Sequence, residues 1–183
     1  MTSIAIVGAG PQLGLAIART FGSHGLDVAL ISRDRDKLDD LVGKLTTEGI
    51  TAAAFPADVL DRDALTQALK DAATQFDGID VLEYSPVGTL GSTTLTTPAD
   101  TEPTHVQHEI EFQLYGAITA TKAVLPAMRA AGTGIQAAHV AIDVSIGTPT
   151  FYGQVKVAAD QISPVYWALH TTDRAKAEQI FKG

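Results

Sequence analysis

No cysteine occurs anywhere in the 183 residues. This excludes disulfides, a thiolate nucleophile and any cysteine-ligated metal, and it fits a cytoplasmic chain. Basic residues are scarce too, with 13 Lys and Arg against 21 Asp and Glu and a net charge of −8. A nucleic-acid or anionic-membrane partner needs a basic face, so the charge argues against both. The first residues, M-T-S-I-A-I-V-G-A-G, lack the positive segment that opens a signal peptide. No apolar run approaches the roughly 20 residues needed to span a bilayer. Neither G-x-S-x-G nor H-E-x-x-H is present. His105 and His108 share a helix face at i and i+3, but no carboxylate cluster completes a metal site, and a solvated helix start is the better reading. No metal is expected. What remains is an ordinary globular balance, 45% apolar and 19% charged, in a chain long enough for a single domain, 1–183, with a sizeable core.

The apolar pattern alternates between two kinds of segment. Ile4 to Val7, Val28 to Ile31, Thr51 to Phe55 and Ile79 to Tyr84 are short runs that read as buried strands. Between them, Leu13, Ile17, Ala18 and Phe21, then Leu38, Leu41, Val42 and Leu45, then Leu65 and Leu69 recur at helical spacing. Gly22 and Gly25 read as stop signals for the first helix, and Asp34 and Asp61 as N-caps of the next two. The order β-α-β-α-β-α-β with continuous apolar strands implies a parallel sheet covered by helices on both faces. A loop rich in Thr, Pro and Gly follows over 85–103, then a long helix over about 104–131. Its expected buried stripe is Ile110, Leu114, Ala117, Thr121 and Val124, widened by Ile118, Leu125 and Met128. Residues 135–144 read as a fifth strand with His139 in its core and Asp143 at its end. The tail, 157–181, reads as a helix with Ile162, Val165, Tyr166 and Leu169 on one face and Trp167 packing beside them.

The segment A-I-V-G-A-G-P-Q-L-G-L-A-I-A joins the first strand to the first helix. Gly8, Gly10 and Gly14 would let the backbone turn sharply and approach a pyrophosphate, which the free N–H groups of the helix N-terminus would hold. The context of strand, glycine loop and helix is the one this reading requires. At the end of the second strand, Ser32 and Arg33 stand where a dinucleotide's adenosine ribose arrives. A basic residue there accommodates a 2′-phosphate, so the residues point to NADP(H).

These features resemble the short-chain dehydrogenase/reductase family, which has a Rossmann-like, doubly wound parallel sheet. Gly8, Gln12 and Gly14 occupy the three glycine places of its T-G-x-x-x-G-x-G motif, with Gln12 in place of the middle glycine. A-D-V at 57–59, I-D-V-L at 79–82, Q-L-Y-G at 113–116 and A-V-L-P-A-M at 123–128 follow in the family's order. The resemblance implies hydride transfer between NADP(H) and a small carbonyl or alcohol substrate. It implies that Gly8, Gly10, Gln12, Leu13 and Gly14 cradle the pyrophosphate and that Ser32 and Arg33 take the 2′-phosphate. It assigns Asp58 to the adenine amino group, Val59 to the adenine ring, and Ser85 and Pro86 to the nicotinamide-ribose side. The family's N-N-A-G is here Tyr84-Ser85-Pro86-Val87, and its helix asparagine is Gln113. A homodimer through helix 104–131 is a further implication.

The family's catalytic serine and Y-x-x-x-K pair are not recovered at their usual places. Tyr152 and Lys156 have the spacing, but Ser145 precedes Tyr152 too closely, and Gly147, Pro149 and Gly153 crowd a stretch that should be helical. They read as a coincidence in the substrate loop, and no catalytic residue is assigned. Residues 134–149 align better with the family's sixth strand and the loop after it, with Ile146 to Thr148 near the nicotinamide carboxamide. Between Met128 and His139 there is no room for a strand, a loop and a helix. The chain therefore reads as short of the family's fifth strand and following helix, with a junction near 132–135, leaving a sheet ordered 3-2-1-4-5. The alternative to an oxidoreductase is a catalytically silent NADP(H)-binding module or redox sensor.

Overall fold

The computed structural model describes residues 2–87, 97–132, 140–142, 145–146, 156–171 and 179–181; of the short strands from 140 onward, only the backbone is described. A four-stranded parallel sheet organises the chain. Its strands are β1 (Ser3–Val7), β2 (Asp27–Ile31), β3 (Ala52–Ala54) and β4 (Val81–Tyr84), in the order β3-β2-β1-β4. The strands are joined by helices α1 (Leu13–Ser23), α2 (Arg35–Thr47) and α3 (Arg62–Gln75). β1 is inside the sheet and fully buried on both faces, which is why it reads as an unbroken apolar run. Ala5 and Val7 pack toward α3, whereas Ile4 and Ile6 pack toward α1 and α2. The N-caps fall where the sequence puts them. The Asp34 carboxylate accepts from the Lys37 N–H (3.1 Å) and that of Asp61 from the Ala64 N–H (3.0 Å). α1 runs through Gly22, whose bare Cα lies against the Ile50 side chain, so packing rather than termination explains that glycine.

The long helix departs from its expected form. It is three helical pieces in succession: α4 (Pro103–Glu109), a π-helical segment (Ile110–Tyr115) and α5 (Gly116–Ala130). The buried stripe is Phe112, Gly116, Ala120 and Val124; of the expected stripe Val124 alone is buried. Ile110, Leu114 and Ile118 are 41%, 53% and 47% exposed. The cause is close approach. The Tyr84 hydroxyl donates to the Phe112 carbonyl (2.5 Å), the acceptor that the Gly116 N–H would use in a regular α-helix. A Cβ on Gly116 would overlap that hydroxyl. The helix thus lays its small residues on the sheet and widens by one residue per turn where Tyr84 enters its hydrogen-bond ladder.

The C-terminal third also differs from expectation. Strand β5 (Val140–Ile142) runs parallel to β8 (Gln179–Phe181), and β6 (Ser145–Ile146) parallel to β7 (Lys156–Val157). Among the described residues β5 does not extend the main sheet next to β4, so the order 3-2-1-4-5 is not found. The tail is helix α6 (Ala159–Thr171) followed by β8, not one helix. The Gln179–Phe181 stretch pairs residue for residue with Val140–Ile142. α6 packs on α1. Ile162 and Leu169 are buried, Thr20 donates to the Ser163 hydroxyl (2.8 Å), and Trp167 sets its edge against Phe21 (5.3 Å) and stacks on His24 (3.7 Å).

Candidate functional site at the C-terminal edge of the sheet

In an open parallel sheet, ligands bind beyond the carboxyl ends of the strands, where crossovers leave to opposite faces. Here β1 is flanked by β2 on one side and β4 on the other. Most of the residues singled out from sequence converge at the crevice between them. The N–H groups of Gly8 and Ala9 both donate to the Ile31 carbonyl (2.9 and 3.0 Å), tying the glycine loop to the end of β2. On the other side the Ser85 N–H donates to the Val7 carbonyl (2.9 Å). Gly8 has φ +99°, and a Cβ there would stand 2.5 Å from Pro86 Cα and 2.7 Å from the Ser85 carbonyl carbon. Only glycine satisfies both the dihedral and the contact.

The rest of the loop serves the helix start. Gly14 packs against Ala9, where a Cβ would lie 3.0 Å from the Ala9 Cα. Gly10 is different: an added Cβ would meet only the Gly8 carbonyl at 3.9 Å, so its smallness leaves open space rather than relieving a clash. Gln12 is exposed at the N-cap position, yet its side chain caps nothing, and α1 has no acidic residue in its first turn. The first α1 N–H with a backbone acceptor among the described residues is that of Leu15, to Gly10 (2.9 Å). α2 and α3 spend their N-termini on aspartate caps, whereas the positive end of α1, beginning at Leu13 and Gly14, stays open to an anion.

Around the end of β2, Ser32 is half-buried and Arg33 exposed. The neighbouring charges are committed locally: Lys37 to Asp34 (2.8 Å) and Arg35 to Asp39 (3.1 Å). Arg33 makes no ion pair with a described residue. The Ala57 N–H donates to the Ser32 carbonyl (3.0 Å), which brings Asp58 and Val59 alongside. The Asp58 carboxylate accepts from the Leu60 N–H (3.0 Å) and Val59 is buried against the α3 side of the core. Asp58 also lines a shallow depression of about 670 Å³ with Leu60, Asp61, Arg62 and Asp63. At the end of β4, Gln113 reaches across from the π-helical segment and donates to the Pro86 carbonyl (3.1 Å). Burial pushes the Tyr84 hydroxyl up to about 12, and its bond to Phe112 aims it into the protein, so it is unsuited to proton transfer at the crevice.

One residue at this edge was not singled out from sequence. Glu83, in the middle of β4, is 7% exposed. Its Oε2 has no hydrogen-bond partner among the described residues. Burial raises its carboxyl from the ordinary 4.5 to about 7, partly opposed by a hydrogen bond with the Ser85 side chain. The signal was legible: an acid inside an otherwise apolar strand is out of place unless paired.

Tyr152, His139 and Asp143 fall outside the described residues, as do Gly147 and Thr148. Lys156 belongs to the two-residue strand β7, with Ser145 as its register partner, and not to a helix. His105 accepts from the Glu102 N–H (3.1 Å) at the start of α4, and His108 stacks on Phe112. Among the described residues, no three His, Cys, Asp or Glu side chains come together as a metal site, and no helix is long and apolar enough to cross a membrane.

The sequence profile described as short chain dehydrogenase matches residues 2–166. An uncharacterized oxidoreductase of Bacillus subtilis is 40% identical over 77 residues, covering 42% of this chain and 28% of that protein. The first curated relatives are matched over only 27% to 36% of their own length. Among solved structures, a short-chain dehydrogenase from Rhodopseudomonas palustris superposes with a TM-score of 0.77 at 18% identity, covering 100% of this chain and 98% of that one. A metagenomic short-chain oxidoreductase in complex with NADP superposes with a TM-score of 0.75 at 20% identity, covering 99% and 96%.

Proposed function

The chain belongs to the short-chain dehydrogenase family, and on that premise we propose that it binds NADP(H) in the crevice between β2 and β4 and serves hydride transfer to or from a small carbonyl or alcohol. The family uses a nicotinamide cofactor. The choice of NADP(H) over NAD(H) rests on one observation above the rest: an exposed Arg33, without an ion-pair partner among the described residues, at the end of β2. Its guanidinium would hold a 2′-phosphate with charge-assisted hydrogen bonds, Ser32 assisting. The open N-terminus of α1, with Gly8, Gly10, Gln12, Leu13 and Gly14, would take the pyrophosphate. Asp58 and Val59 would flank the adenine, and Ser85 and Pro86 the nicotinamide ribose. The metagenomic neighbour's NADP complex is in keeping with this reading.

Arg33→Ala tests it. The lost contact should weaken NADPH binding by about 1–2 kcal/mol, roughly 5- to 30-fold, and leave NADH binding unchanged. Equal affinities for the two cofactors before and after the substitution would refute the NADP(H) reading. A second reading, a catalytically silent NADP(H)-binding module or redox sensor, is favoured by Lys156 lying in a strand. NADPH consumption with any member of a carbonyl panel would overturn it. A homodimer through the helical run 103–130 would cover the exposed Ile110, Leu114 and Ile118; sedimentation of Ile118→Glu beside the unaltered chain tests it, and identical masses for the two would count against that face.

A further inference from the structure

Glu83 has no structural reason to be an acid. It pairs in register with Ile6 of β1 and shares its face of the sheet with Val81. The buried side of α1 that covers this face, Leu15 to Phe21, is apolar. A valine or leucine would pack there without desolvating a carboxyl group, and removing a buried charge in favour of apolar packing is usually neutral or stabilising. Yet the carboxyl is buried, one of its oxygens is orphaned, and its hydrogen-bond partner is the Ser85 side chain. Ser85 in turn is fixed by its N–H to Val7 and lies against Gly8. One side-chain link from Glu83 to Ser85 and one backbone bond from Ser85 across to Val7 of β1 therefore connect a buried acid to the floor of the crevice.

We propose that Glu83 is a positioning residue of the cofactor site, setting through Ser85 whether a hydroxyl donor is presented to the nicotinamide side of the bound dinucleotide. The inference rests on the cofactor reading above. When Glu83 is neutral its own O–H can donate to Ser85 Oγ, and the Ser85 hydroxyl hydrogen is released toward a ribose or carboxamide oxygen. When Glu83 is ionised it can only accept, so it captures that hydrogen and also places a negative charge near a polyanionic ligand. Both changes weaken binding in the same direction as pH rises. Burial places the carboxyl's titration near pH 7, where this exchange can occur. Among the described residues, Tyr166 of α6 is the titratable group that faces Glu83: burial, and secondarily the Glu83 charge, raise its hydroxyl well beyond the working range. Asp160 of α6 acts on Arg19, and His170 lies against Phe21 and Trp167.

The experiment is NADPH titration by intrinsic cofactor fluorescence at pH 6, 7 and 8, on the whole chain, its Glu83→Gln variant and its Ser85→Ala variant. The unaltered chain should lose roughly 5- to 10-fold in affinity from pH 6 to pH 8. Glu83→Gln keeps a donor toward Ser85 at every pH, so at pH 8 it should bind roughly 5- to 10-fold more tightly than the unaltered chain does at that pH. Ser85→Ala should bind more weakly at pH 6 and lose less affinity between pH 6 and pH 8 than the unaltered chain, since only the Glu83 charge still acts. The ionisation of the 2′-phosphate itself, with its second pKa near 6, is common to all three proteins and cancels in the comparison. An unchanged pH profile in Glu83→Gln overturns the proposal. Should that variant fail to fold, an unchanged profile in Ser85→Ala does so. No binding by the unaltered chain at any pH overturns the cofactor reading itself, which is a different failure.

Discussion

Replacing Glu83 by glutamine should change how stability depends on pH, whether or not any cofactor is present. In the folded chain the Glu83 carboxyl holds its proton to about pH 7, because burial disfavours its charge. In the unfolded chain the same group ionises near its ordinary value of about 4.5. The folded state thus binds more protons between these values, and stability falls as pH rises across that window. The contribution is fully present below the unfolded value and fully lost above the folded one. At 1.36 kcal/mol per pH unit, the unaltered chain should lose about 2–3 kcal/mol between pH 5 and pH 8 from this group alone. That is a large share of the 5–15 kcal/mol typical of a domain. Glu83→Gln has nothing to ionise and should not show this loss. Urea unfolding followed by circular dichroism at pH 5, 6, 7 and 8 gives the two curves. Their separation should widen by about 2–3 kcal/mol toward pH 8. Parallel curves would refute the claim that a buried acid titrates here.

Two further substitutions probe the packing that shapes the crevice. Gly116→Ala places a methyl on the Tyr84 hydroxyl and should destabilise the fold by about 1–3 kcal/mol; Tyr84→Phe in the same chain should recover much of that loss, and an additive double variant would show that the contact is not the cause. Gly8→Ala combines a positive φ with a collision against Ser85 and Pro86, and thermal unfolding should show a loss of about 2 kcal/mol or more; a variant as stable as its parent would show that the loop rearranges freely.

The first half of the fold was legible because its elements depend on local chemistry. Each strand buried on both faces had to be apolar throughout, and the helices announced themselves by period, α2 and α3 also by their aspartate caps, Asp34 and Asp61. The long helix misled for the opposite reason. Ile110, Leu114 and Ile118 look like a core stripe, but which side of a helix lies on a sheet depends on how closely the backbones approach. Here Gly116 and Ala120 win because Tyr84 needs room. The short ladders at 140–142 with 179–181 and at 145–146 with 156–157 rest on pairings between distant residues, which no periodicity within a segment encodes. The glycine loop was readable as a motif, although only the structure separates Gly8, which the backbone requires, from Gly10, which it does not. Glu83 was passed over because it sat inside a run taken for apolar, although a lone acid in such a run is itself the anomaly.

The strand order carries a consequence for the making of the protein. β1 leaves the ribosome before β2, β3 and β4, yet it lies inside the sheet, and its second neighbour is β4. The Ser3 N–H finds the Asp80 carboxylate across 77 residues of chain. Until that later segment has been synthesised, one edge of a largely apolar strand lacks its β4 partner. At 5–20 residues per second the wait is about 4–15 seconds. During that time the edge of β1 that β4 will cover is left exposed, the kind of surface that chaperones hold and aggregates recruit. The same central placement that lets the glycine loop lie between two strand ends therefore makes the newborn chain vulnerable for as long as β4 is missing.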